Sequence, residues 1–187
     1  MSKTSSQQLR IIGGTWRSRR LSFPALDGLR PTLDRIRETV FNWLMYEVEG
    51  KRVLDCFSGS GALGLEALSR GAKSAVFVEK HPVAAKQLIE NLRLLQCQNA
   101  QVVTSDALAW LASNSTADFD LVFLDPPFGQ GLLQAALAAL QLKEGALVYV
   151  EHESQITPLW PQHWQEIKSK TTPEFHFRLF RVAKTPG

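Results

Sequence analysis

From residue 51 onward the chain switches repeatedly between two hydrophobic periods. Short, β-rich apolar runs stand at 53–57 (VLDCF), 75–79 (AVFVE), 100–105 (AQVVTS), 119–125 (FDLVFLD) and 146–152 (ALVYVEH), each the length of a buried strand. Between them lie SGALGLEALSRG, HPVAAKQLIENLRLLQ and GLLQAALAALQ, whose apolar residues recur at helical spacing. Near-continuous apolar strands separated by helices predict a parallel sheet covered on both faces. Two further runs, WQEIKSK (164–170) and FHFRLFRV (175–182), are separated by TTPE and predict an antiparallel hairpin closing one edge, for seven strands in all. Upstream, LDRIRETVFNWLM carries an apolar stripe of Leu33, Ile36, Val40, Trp43 and Leu44, with Thr32 placed to cap the helix. Residues 10–23 read as a small irregular or hairpin-like element rich in arginine. The expectation is an α/β fold with a small basic extension (1–30) ahead of one main domain (31–187).

Charge changes this picture more than composition does. The chain has 187 residues, 44% of them hydrophobic, enough for one well-buried domain. The formal charge is only +3, but residues 1–37 hold eight Lys or Arg against Asp27 and Asp34, which leaves −3 on the rest. A basic arm on a mildly acidic body suits either a segment that touches a polyanion or a solvated tail. Cys56 and Cys97 are far apart, form no CxxC and have no histidine cluster nearby, so buried thiols in a reducing compartment are expected, with no disulfide framework or metal site. No apolar run approaches the roughly 20 residues that cross a bilayer, and MSKTSSQQ lacks an apolar signal region. A soluble cytoplasmic protein is expected.

The strand ends carry a second pattern. Asp55 lies in the first strand's last turn, Glu79 ends the second, Asp106 follows the third and Asp125 ends the fourth. In a parallel sheet these ends share one edge, where such folds bind ligands, and four like charges gathered there favour a binding role over a solvated one. After the first strand, Gly59-Ser60-Gly61-Ala62-Leu63-Gly64 forms a G-x-G-x-x-G that leads into a helix, with Glu79 placed to hold ribose hydroxyls. This loop alone fits a dinucleotide or S-adenosylmethionine. Asp55 separates them, because a carboxylate just before the loop repels a pyrophosphate and suits the ammonium of a methionine moiety. Asp106 is then placed for the adenine amino group. A nicotinamide-dependent oxidoreductase, the alternative of a different class, has no use for Asp125-Pro126-Pro127-Phe128. There, two prolines stiffen the backbone and remove N–H donors, leaving the Asp125 carboxylate and Pro126 carbonyl as acceptors beside the aromatic face of Phe128. Such a group suits an exocyclic amine on a planar base, positioned for attack on an electrophile.

These residues resemble a known family. D-P-P-F is similar to the Asp/Asn/Ser-Pro-Pro-Tyr/Phe motif of S-adenosylmethionine-dependent amino methyltransferases, and DCFSGSGALGLEALSRGA resembles the cofactor loop of their ribosomal RNA branch. IIGGTWRSRRL and RPTLDRIRETVFNWL are similar to segments of the RsmD family, the bacterial 16S rRNA guanine-N2 methyltransferases; the resemblance runs from about residue 9 to 183. It implies a Rossmann-like class I methyltransferase domain and methyl transfer to N2 of one guanine of 16S rRNA, by in-line displacement without a metal. The substrate would be presented in an assembling 30S subunit, to a monomer. It assigns the cofactor to Asp55, Phe57, Ser58, Gly59, Ser60, Gly61, Glu79, Lys80, Asp106 and Ala107, and the chemistry to Asp125, Pro126, Pro127 and Phe128. The RNA falls to Arg10, Arg17, Arg19 and Arg20 of the arm, and to Arg30, Thr32 and Arg37 lining the crevice from the N-terminal side. Where the family's pattern often has Tyr, this chain has Phe128, so no phenolic hydroxyl acts there. Adenine-N6 methylation of RNA or DNA is the nearest alternative.

Overall fold

The computed structural model describes residues 6–26 and 34–185. Arg30, Thr32 and the helix cap expected at Thr32 lie outside the described residues.

An N-terminal hairpin of β1 (Ser6–Arg10) and β2 (Arg20–Pro24) precedes α1 (Asp34–Trp43). The alternating part follows as β3 (Arg52–Asp55), α2 (Ala62–Ser69), β4 (Ser74–Glu79), α3 (Pro82–Leu94), β5 (Ala100–Thr104), α4 (Ala107–Ser113), β6 (Leu121–Leu124), α5 (Leu132–Ala139) and β7 (Leu147–Glu153). A terminal hairpin of β8 (Trp164–Thr171) and β9 (Phe175–Val182) completes the chain. The seven-stranded sheet has the order β5-β4-β3-β6-β7-β9-β8, parallel from β5 to β7 and antiparallel across β9 and β8. Its strand order reverses at β3, which pairs with both β4 and β6, and this reversal opens the ligand crevice of such sheets.

The pattern of apolar residues did not predict α4. It has seven residues, ALAWLAS, small or apolar on every side, and two turns are too few for a helical period to show. Its start is set by Asp106, whose Oδ1 accepts a hydrogen bond from Ala109 N at 3.0 Å. The thiols divide: Cys56 is buried, whereas Cys97 is half-buried, with its Sγ 3.1 Å from Asn99 Oδ1.

The β1–β2 hairpin of the basic extension is packed into the body. Leu9, Ile11, Leu21 and Phe23 are buried in the core that includes Phe41 of α1, Leu65 of α2 and Leu88 and Leu92 of α3. At the tip of the hairpin, Thr15 N bonds Ser69 O at 2.7 Å and Trp16 N bonds Ser69 Oγ at 2.9 Å. Gly14 adopts φ +79°, and a Cβ there would stand 2.0 Å from Ser69 O, so only glycine lets the two backbones meet. The Gly13-Gly14 pair is therefore a fixed docking point.

Glu66 makes this attachment. It is fully buried in a mostly apolar helix and accepts from Ile12 N (2.8 Å), Gly13 N (3.0 Å), Arg37 Nη1 (3.3 Å) and Arg70 Nε (3.1 Å). One carboxylate thereby joins the hairpin, α1 and α2. Removing it takes one of its carboxylate partners from the buried Arg37 guanidinium and leaves two amides without this acceptor. Glu66→Ala is expected to lose about 3–5 kcal/mol of stability. Denaturant unfolding checks this, and a midpoint equal to that of the wild type would show that the cluster contributes nothing.

Candidate active site

Four strands deliver acids to one crevice at their carboxyl ends. Its lining includes Asp55, Glu79, Asp106 and Asp125, the loop residues Phe57, Ser58, Gly59 and Ser60, and Lys80, Ala107, Pro126 and Pro127. The structure thus brings together nearly the whole set expected to hold the cofactor. Gly61 lies behind the lining, turning the loop into α2 with φ +81°.

The loop is held from both sides. Ser58 donates through N and through Oγ to Val78 O, each at 3.0 Å, which pins it to β4. Glu79, 6% exposed, accepts from Gly59 N at 2.7 Å and from His81 N at 3.0 Å. Each carboxylate oxygen keeps further acceptor capacity toward the crevice. Gly64 closes the motif for a packing reason: a Cβ there would stand 2.3 Å from Phe77 Cε1. With no side chain in the way, its amide donates to Asp55 Oδ2 at 3.0 Å.

Asp55 is 2% exposed, and burial pushes its carboxyl up to about 7, with Asp125 and Glu79 adding repulsion and the Gly64 amide opposing it. The same field acts on Cys56, whose thiol is pushed up to about 12 by burial, then by Asp55 and Asp106. A crevice with this electrostatic character is built to take a cation. It fits the ammonium and sulfonium of S-adenosylmethionine and would repel the pyrophosphate of a dinucleotide.

Beyond the Pro126-Pro127 segment lies a second cavity. Its lining includes Phe128, Leu133, Glu151, Glu153 and Ile156, and it shares Pro126 and Pro127 with the first. The stiff diproline is therefore the wall between two chambers, with half-buried Asp125 at its root. Phe128 belongs to the second chamber, where its ring lies 5.9 Å from that of Phe175 in β9. Gly129 N donates to Glu153 Oε1 and fixes the far end of the loop.

The similarity to known proteins runs over nearly the whole chain. The family model described as "Conserved hypothetical protein 95" matches residues 9–181. Ribosomal RNA small subunit methyltransferase D of Escherichia coli strain K12 is 45% identical, over 95% of this chain and 92% of its own. The protein of the same name from Haemophilus influenzae is 43% identical, over 93% of this chain and 94% of its own. This chain belongs to the RsmD family. A solved Escherichia coli structure, yhhF, superposes with a TM-score of 0.88 at 44% identity, covering 96% of this chain and all of that one. The Thermus thermophilus 16S rRNA N2 G1207 methyltransferase RsmC, solved with AdoMet and guanosine, shares the fold at a TM-score of 0.67 and 22% identity, over 96% of this chain and 50% of its own. As an RsmD-family member the chain is a class I methyltransferase, and its methyl donor is S-adenosylmethionine.

Among the described residues, the arginines expected to meet the RNA are not gathered in the crevice. Arg37 is 1% exposed and paired with Asp34 (2.6 Å) and Glu66 (3.3 Å), so the expectation that it lines the crevice is not met; it ties α1 to α2. Arg10, Arg17, Arg19 and Arg20 are exposed. Arg10 pairs with Asp34 at 3.2 Å, and Arg19 reaches Leu94 O at 3.4 Å. Since Leu94 ends α3 and the hairpin tip docks on Ser69, which ends α2, Arg17 and Arg19 stand at the opposite end of these helices from the crevice. Two buried carboxylates were missed in the sequence, Glu66 and Glu151. Glu151 falls in the fifth apolar run at a strand end, and the criterion that singled out Asp125 finds it too.

Proposed function

We propose that this chain methylates the exocyclic N2 of one guanine in 16S rRNA, presented by an assembling 30S subunit, and that it does so as a cytoplasmic monomer. Methylation of small-subunit rRNA goes with membership of the family. No helix among the described residues is long and apolar enough to cross a membrane.

The observation that carries the reading is the diproline wall between an acid-lined crevice and a second chamber beside Phe128. S-adenosylmethionine, when bound, supplies a methyl group made electrophilic by its sulfonium. In the crevice, Glu79 would hold the ribose hydroxyls, Asp106 the adenine amine, and Asp55 with the loop amides the methionine end. On the other side, Phe128, braced by Phe175, would stack on the purine ring. The Asp125 carboxylate and the Pro126 carbonyl accept from the N2 amine, which draws its lone pair out of ring conjugation and aims it across the wall. Asp125 is also at hand for the proton that N2 sheds. To enter, the guanine must be unpaired or flipped out of its stack.

The test is to supply labelled methyl donor and ribosomal RNA, naked or in 30S particles, from cells lacking the protein, then to digest and identify the nucleoside. Label on N2 of guanine is expected; label on N6 of adenine would favour the alternative. A second experiment addresses the arm. Replacing Arg17, Arg19 and Arg20 with alanine is expected to weaken RNA binding and to flatten its log–log salt dependence by about two to three units, at roughly 0.7–0.9 per phosphate contact. Cofactor affinity should not move. Parallel lines for the two proteins would return these arginines to the role of a solvated surface.

A further inference from the structure

The second chamber contains an acid that the chemistry above leaves unused. β6 and β7 run parallel with Leu124 opposite Val150, so one step further Asp125 stands beside Glu151. Two residues before them, Phe123 and Tyr149 touch on the same sheet face, with ring centroids 6.1 Å apart. Glu151 is 4% exposed and lines the chamber with Pro126, Pro127 and Phe128. Both carboxylates act on one phenol: Tyr149 is pushed up by burial first, then by Glu151 and Asp125. Two acids on adjacent strands, whose backbones lie roughly 4.8 Å apart, thus flank the diproline, Asp125 on the side of the crevice and Glu151 on the side of the Phe128 ring.

We infer that Glu151 selects guanine by accepting the N1–H hydrogen bond next to the N2 amine held at Asp125 and Pro126. This rests on the guanine-N2 reading and deepens it. Along its pairing edge guanine presents two neighbouring donors, N1–H and the N2 amine. Adenine presents a donor at N6 beside a bare acceptor at N1, and cytosine has the same mismatch at N4 and N3. A carboxylate opposite N1 therefore completes guanine and repels the other two. Because Glu151 is buried, a base that offers it no proton forfeits a hydrogen bond that water cannot replace, and polar sites discriminate best in that situation. The diproline motif provides acceptors for any exocyclic amine; Glu151 adds the purine identity.

The experiment has two arms, both on the full chain. In the first, Glu151→Gln is compared with wild type for methyl transfer to 30S particles from cells lacking the protein, with S-adenosylmethionine binding measured alongside. Gln keeps the shape and replaces one acceptor oxygen by a donor. A loss of about 10- to 100-fold in kcat/KM for RNA is expected, with cofactor affinity unchanged. In the second, guanosine, 1-methylguanosine and adenosine are titrated as inhibitors of wild-type transfer. Guanosine should inhibit at least about tenfold better than the other two, because 1-methylguanosine replaces the N1 proton with a methyl group. Equal inhibition by guanosine and 1-methylguanosine, no inhibition by guanosine, or an unimpaired Glu151→Gln would overturn the assignment. Should Glu151→Gln fail to bind cofactor, the nucleoside series on the wild type decides alone. Label recovered on adenine would instead sink the guanine-N2 reading itself, whatever Glu151 does.

Discussion

Asp125→Ala is expected to lower kcat by about a thousandfold or more while S-adenosylmethionine still binds. The reason is where Asp125 stands. It follows β6 at the root of the diproline wall, whereas Glu79, the acid assigned to ribose, ends β4 and Asp106, the acid assigned to adenine, follows β5. Losing its carboxylate removes the main acceptor for the attacking amine, an interaction made at the moment of transfer. The cofactor loses no direct partner, and the repulsion that Asp125 exerts on Asp55 is relieved. Asp125→Asn, which keeps one acceptor oxygen, should retain more activity than Ala. Single-turnover transfer at saturating RNA measures the first effect and calorimetric titration the second. A folded Asp125→Ala protein that no longer binds the cofactor would move Asp125 from the chemistry to the cofactor site.

The second large effect concerns Asp55 and is visible as a function of pH. Its carboxyl, near 3.8 in an unfolded chain, is raised to about 7 in the folded protein, chiefly by burial. A raised carboxyl favours the folded state when protonated. Its contribution is therefore fully present below pH 3.8 and is lost as pH rises through about 7. Holding the cofactor's ammonium requires the opposite, charged form. Affinity for S-adenosylmethionine should then fall on acidification below about pH 7, by up to about tenfold per unit, with proton release on binding. Asp55→Asn keeps an acceptor for the Gly64 amide but cannot ionise. It should bind the cofactor about 100-fold more weakly, yet melt about 2–6 °C higher than the wild type at pH 8 in the absence of ligand. At pH 5 the two proteins should melt closer together. Cofactor affinity independent of pH between 5.5 and 8 would show that Asp55 does not meet the ammonium.

The parts legible in the sequence were those whose physics is local. Buried parallel strands announce themselves as unbroken apolar runs, and the acids at their ends inherit their place from the strands, so Asp55, Glu79, Asp106 and Asp125 are brought together by the sequence pattern alone. The G-x-G-x-x-G and the diproline are likewise backbone statements, since φ and missing N–H groups are properties of the residues themselves. What escaped depends on contacts between distant segments. Arg37 lies in a helix with a polar face, and nothing local says that the guanidinium turns inward to meet Glu66, 29 positions on. The arm's arginines read as one basic patch, yet their placement depends on Ser69 and Leu94 receiving the hairpin tip.

That attachment sets the enzyme's reach. The helix α2 begins at the cofactor crevice with Ala62 and ends at Ser69, against which the arm is clamped. Eight helical residues span about 12 Å, a fixed rod with the methyl-transfer chamber at one end and Arg17 at the other. If the arginines grip phosphates, the enzyme works as a gauge block: it accepts a guanine only when a run of backbone lies a helix-length away along the right side of the fold. A naked loop carrying the same bases would fit the chamber and miss the far jaw. Selection among the many guanines of the ribosomal RNA would then be a measurement of distance, made against a structure that has folded far enough to hold both points apart.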